Sequence, residues 1–163
     1  MTALARIRFL LLRRARSTRR ISASEEGSAL IEFALVAFMF IIVLLGVVEM
    51  SRVILVYTSL ANAARAGTRY AIVHGQYRTG SGSTGPSGPG NTTQVETVVK
   101  NFASTGMLDT TKLNVTVAYP GSSNNVGQAV TVTVTYPYDA IIPFFSTLFG
   151  ATMGSSSEGV IMF

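Results

Sequence analysis

From Ala29 to Val48 the chain reads ALIEFALVAFMFIIVLLGVV, an apolar run with a single charge, Glu32. About 20 such residues in a helix cross roughly 30 Å of hydrocarbon, so the run reads as a membrane span. The carboxylate is the anomaly. An ionised side chain costs about 2.5–3.5 kcal/mol at the bilayer centre and less near the edge. Glu32 lies about one turn from the start of the run. It is either snorkelling to the interface or held for a partner.

Charge is placed as unevenly as hydrophobicity. The net charge of +5 is carried by the head, where Arg6, Arg8, Arg13, Arg14, Arg16, Arg19 and Arg20 face only Glu25 and Glu26. After residue 27, Arg52, Arg65, Arg69, Arg78, Lys100 and Lys112 are balanced by Glu32, Glu49, Glu96, Asp109, Asp139 and Glu158. Positive charge beside a span stays in the cytoplasm, so Arg13, Arg14, Arg16, Arg19 and Arg20 set the expected topology. The N-terminus is expected inside and everything after Glu49 outside. A topogenic head with affinity for anionic lipid explains the basic pI better than nucleic-acid binding. The apolar core is too long for a cleaved secretory signal, and Ala61-Asn62-Ala63 lies too far beyond it to be the cleavage site. The twin arginines at 13–14 and 19–20 lack the surroundings of an export signal.

Helical pattern continues past the span. No proline interrupts the sequence to about Val73, and Glu49 can pair with Arg52 at i, i+3. A helix from Ala29 to Val73 would be about 68 Å long. Ala63, Gly67 and Ala71 form a stripe of small residues that lets another backbone approach, either a partner helix or the protein's own sheet. Residues 74–93 follow, so rich in Gly, Ser, Thr and Pro that a flexible loop is expected. A short amphipathic helix is predicted over 93–104, with Val95, Val98, Val99 and Phe102 on one face and Gly106 as its stop. Leu113, Val115, Val117 and Tyr119, then Val130, Val132, Val134 and Tyr136, alternate with polar residues and predict an antiparallel hairpin. Residues 141–150 suggest a short apolar helix or a membrane-facing wedge, and 158–163 a closing third strand.

Nothing in the chain assembles catalytic chemistry. There is no cysteine and one histidine, and the acids are scattered singly, so no metal, cofactor or nucleophile–base set is expected. His74, at the end of the long helix, fits a capping role. The glycines after it lack the strand and helix that a phosphate loop requires. Asn91-Thr92-Thr93 and Asn114-Val115-Thr116 match a glycosylation triplet that is common by chance. The chain is not expected to be an enzyme, to bind nucleic acid directly or to take a small-molecule substrate.

Three stretches carry a family resemblance: Gly27 to Val36 (GSALIEFALV), Gly46 to Glu49 (GVVE), and Ala61 to Ala71 (ANAARAGTRYA). Together they resemble the TadE-like pseudopilins of the tight-adherence branch of type IV pili. The resemblance implies a prepilin peptidase that cuts between Gly27 and Ser28. Glu32 then becomes the fifth mature residue, followed by Phe33 in the aromatic place of the family pattern. It also implies that Glu32 neutralises the new amine of a neighbouring subunit during assembly. An intramolecular bond to that amine, or to the open N–H groups of the first turn, competes. Many relatives carry a proline after this stretch, where this chain has Ala37-Phe38, so a straighter helix is expected. Ser22 and Glu25 could form a capping box that starts the helix before the cut.

The expected architecture is α+β. A long N-terminal transmembrane helix continues into a small periplasmic domain containing a short helix and an antiparallel sheet of about three strands. The expected divisions are a cytoplasmic leader over 1–27, the helix over 28–73, the loop over 74–93 and the domain over 94–163. The expected location is the inner membrane, in a single pass, with association with a pilus after processing left open. The expected partners are the membrane, a prepilin peptidase and other pilin subunits or assembly proteins. The alternative is an uncleaved, membrane-anchored domain that binds an envelope component.

Overall fold

A computed structural model describes residues 27–141, 146 and 152–163, together with the helical backbone of residues 3–26. The arginine side chains of the head, the Ser22–Glu25 capping box and nearly all of the apolar stretch at 141–150 lie outside the described residues. The chain forms two units, 1–47 and 48–163.

Helix α1 spans Ala3–Val73, a proline-free stretch of 71 residues. Its end is where the sequence places it. Its start lies much further back than Ala29, because nothing in the head breaks a helix. From 28 to 48 the side chains are exposed apart from half-buried Ala37 and Gly46. From Gly27 to Val73 the helix is long and apolar enough to cross a membrane.

The second unit is a three-stranded antiparallel sheet with helices on one face. Strands β1 (Asn114–Ala118), β2 (Ala129–Pro137) and β3 (Thr152–Val160) lie in the order β1-β2-β3. Alternation decides the faces: Val130, Val132 and Val134 of β2 are fully buried, while Thr131, Thr133 and Thr135 point the other way. The expected third strand is present but displaced. It pairs with β2 from Pro137↔Thr152 to Ala129↔Val160, so it begins before residue 158 and leaves 161–163 beyond it. Its run of serines and glycines hides the period-two signal. Those residues are small for a reason: α1 lies directly over β3. Thr68 Oγ1 donates to the Ser157 carbonyl at 3.1 Å, and a Cβ on Gly159 would come within 2.5 Å of Ile72 Cδ1.

Helix α2 (Thr93–Thr105) buries Val95, Val99 and Ala103, one stripe at helical spacing. Gly106 ends it as expected, its N–H donating to the Ala103 carbonyl at 3.0 Å while the Met107 N–H donates to that of Ser104 at 3.1 Å. The core of the unit joins Val56, Leu60, Ala63, Ala64 and Ala71 of α1 to these residues and to the inner face of β2.

The glycine-rich segment between α1 and α2 is anchored inside its own length. A 3-10 turn at Gly82–Thr84 sits at its exposed tip. Buried Ser87 donates to the His74 carbonyl through both its N–H (2.6 Å) and its hydroxyl (3.1 Å). Tyr119 reaches the Ser87 hydroxyl at 3.3 Å, and Asn124 donates to the Ser87 carbonyl at 2.9 Å. Composition signals the exposed tip. It gives no hint that one serine ties the segment to the hairpin loop.

Candidate assembly site

The two acids of the apolar helix have opposite surroundings. Glu32 is exposed, as is Phe33 at 72 %. Among the described residues no hydrogen bond or ion pair reaches the Glu32 carboxylate. Five residues before it, Gly27 is half-buried, and a Cβ placed there would meet nothing within 4 Å. The Gly27–Ser28 bond lies within α1, so its backbone is hydrogen-bonded helix. A protease that needs extended substrate would have to unwind this turn.

Glu49 comes seventeen residues later in the sequence. It is 1 % exposed and fully paired. The Tyr138 hydroxyl donates to its Oε1 at 2.6 Å, and Arg52 Nη1 lies 3.3 Å from Oε1 and 3.5 Å from Oε2. The Arg52 guanidinium also sits over the Tyr138 ring, 5.5 Å from its centre, within cation–π range. Sequence spacing exposes the Glu49–Arg52 pair. Tyr138, 89 residues away, is missed; a carboxylate in an apolar stripe needs a second donor, but no local pattern says which.

Burial and the hydrogen bond to Glu49 push the Tyr138 phenol up to about 12 from its usual value of 10.0, against the opposing pull of Arg52. The native state therefore holds this proton more tightly than the unfolded chain. The associated stability is complete below pH 10 and is lost as pH rises through about 12. Tyr70 and Tyr119 are also raised by burial and add to the same alkaline loss. In an alkaline unfolding series, Tyr138→Phe should flatten the fall in stability above pH 10, leaving the smaller part due to the other two.

The small-residue stripe is covered from within the chain. Ala63, Gly67 and Ala71 are all buried, and a Cβ on Gly67 would collide with Val99 of α2 and lie 3.3 Å from Val132 of β2. Of the two readings the sequence allows, the close approach seen here is to the protein's own α2 and sheet. Arg65 and Arg69 occupy the neighbouring, exposed face.

His74 closes α1. Its ring stacks on Tyr70 at 3.8 Å, and its Nδ1 lies 2.8 Å from the Tyr70 carbonyl, so the imidazole serves the end of the helix. Among the described residues no group of histidine and acid side chains is arranged to hold a metal ion.

No curated protein and no solved structure matches the chain. The family model described as TadE-like protein matches residues 27–69. That segment contains Gly27, both helix acids, Arg52 and part of the stripe that the domain covers. Residues 27–69 are thus similar to the TadE-like family, a structural family associated with tight-adherence pili, and the helix from Gly27 to Val73 has the length and composition of a single membrane span.

Proposed function

We propose that the chain is a minor pseudopilin or pilus-assembly protein of a tight-adherence system. A prepilin peptidase cuts it after Gly27, and its Glu32 then meets the freed amine of a neighbouring subunit. The observation that supports this most is the contrast between the two acids. Glu49 has its donors within the chain, whereas Glu32 stands exposed in an apolar segment with none among the described residues. A lone carboxylate in lipid is costly and a paired one much less so, which favours the assembled state. On this reading the N-terminus lies in the cytoplasm and the sheet domain outside the inner membrane, which the arginine-rich head supports.

The uncleaved anchor is the second reading, and the unbroken helix through Gly27–Ser28 favours it. Expression with the cognate peptidase separates the two. Wild-type protein should lose residues 1–27 and begin at Ser28 by mass spectrometry, while Gly27→Ala stays full length. Native protein that still begins at Met1 in the presence of active peptidase would exclude processing.

A further inference from the structure

The outward face of α1 stays apolar past the end of the apolar run. From Val48 to Tyr57 the exposed side chains are Val48, Met50, Ser51, Ile54, Leu55 and Tyr57, and all but the serine are large groups 47–59 % exposed. From Thr58 to Arg69 they are Thr58, Asn62, Arg65 and Arg69. The change of character falls at Tyr57. In the sequence the apolar run stops at Val48 because Glu49 and Arg52 follow. In the fold both charges are drawn away from the outward face: Glu49 is buried against the Tyr138 hydroxyl, and half-buried Arg52 is bonded to Glu49. Even the hydroxyl of Thr58 is turned back onto the helix, donating to the carbonyls of Ile54 and Leu55 at 2.9 and 3.0 Å. This is how threonine satisfies itself in an apolar setting.

Water is a poor neighbour for such a face. The side of a helix that meets water is polar, and a contiguous exposed apolar surface marks contact with a membrane or a protein. Continuity decides between these two. The same helix carries the run read as a span, whose side chains are exposed in the same way, and no exposed charge separates that run from Ile54 and Leu55. Tyr57 then stands where an aromatic ring with a polar tip suits the boundary between lipid and water. The next exposed charges on the helix, Arg65 and Arg69, are cations fitted to headgroup phosphate. At the end of the sheet unit that reaches Glu49, Ile141 is 68 % exposed, and the charges of Asp139 and Lys112 are paired at 2.8 Å.

We infer that lipid covers the outward face of α1 as far as Tyr57, so that the 48–163 unit is seated in the bilayer by its first helical turns and α1 meets water only from Thr58. This rests on residues 29–48 being a span, as both readings above have it. Residues 29–57 exceed the roughly 20 that a span needs, and tilt or the headgroup layer takes up the excess. Glu49 and Arg52 are compatible with that depth because they face the domain and each other.

Spin labels test the boundary. The chain has no cysteine, so Phe40→Cys, Ile54→Cys, Leu55→Cys, Asn62→Cys and Arg69→Cys each report one position in the full chain in nanodiscs. All five side chains are exposed, so the labels displace no core packing. Labels at 54 and 55 should collide freely with dissolved oxygen, as the label at 40 does. Their collisions with a charged chromium complex should be about tenfold or more below those at 62 and 69, the exclusion that a charge meets near the lipid edge. Chromium collisions at 54 and 55 equal to those at 62 overturn the inference, and a label at 40 that remains shielded shows that the span itself stands. Chromium access at 40 as well would remove the span together with the inference. Low collisions with both reagents at 54 and 55 mean that protein covers the face and also overturn it; spectral broadening relieved by unlabelled protein would identify that cover as a second copy.

Discussion

Replacing Gly67 with valine is expected to destabilise the 48–163 unit strongly, lowering its thermal unfolding midpoint by about ten degrees or more. The position allows no side chain: the first added carbon already meets Val99 of α2 and approaches Val132 and Val95 at 3.3 and 3.5 Å. All three valines are fully buried and β-branched, with little rotamer freedom to give way. Overpacking of well-filled sites costs about 1–3 kcal/mol, and a branched residue at this contact should reach the upper end. Small domains have only about 5–15 kcal/mol in total, so the midpoint of thermal unfolding should fall by ten degrees or more, roughly. Gly90→Ala is the matched control, because a Cβ there meets nothing within 4 Å. Circular dichroism melts of the two variants give the comparison, and a Gly67→Val protein that melts like Gly90→Ala would refute the packing described for α1.

Glu32→Gln should act in the opposite way, leaving the domain intact while removing assembly. The side chain is exposed and makes no hydrogen bond or ion pair with a described residue, so folding and thermal stability of the outer unit should not change. Insertion should be as good or better, since a charge has left the apolar run. Under the proposed function, the loss falls on the encounter between processed subunits. An unneutralised amine in the membrane carries a penalty of about 2.5–3.5 kcal/mol at full depth, which corresponds to roughly a hundredfold in an assembly equilibrium. Fibre yield in sheared fractions, normalised to membrane-bound protein, is the measurement. Wild-type yield from the glutamine variant would remove the assembly role of Glu32.

The legible parts of this fold are those in which a residue's neighbours in sequence are also its neighbours in space. The end of α1 near Val73, the limits of α2 and the two valine strands all follow from local periodicity, and the structure places them within a residue or two. The Glu49–Arg52 pair is legible for the same reason, being one turn apart. What escapes is settled at long range. Tyr138 reaches Glu49 across most of the domain, Ser87 anchors a segment whose composition suggests only looseness, and β3 hides beneath α1 as serine and glycine. The start of α1 escapes for another reason. The arginines of the head are good helix formers, so composition that marks a leader marks no boundary in the backbone.

The seam between α1 and β3 has a consequence for strand alignment. Thr-Met-Gly-Ser-Ser-Ser-Glu-Gly-Val has little β-propensity of its own, and a slip of two residues along β2 would leave its face pattern almost unchanged. What such a slip cannot preserve is the fit beneath Ile72, where Gly159 leaves room for the helix and Ser157 or Ile161 would not. The helix therefore works as the gauge against which this strand is indexed, with Thr68 as the pointer that fastens onto the Ser157 carbonyl once the count is right.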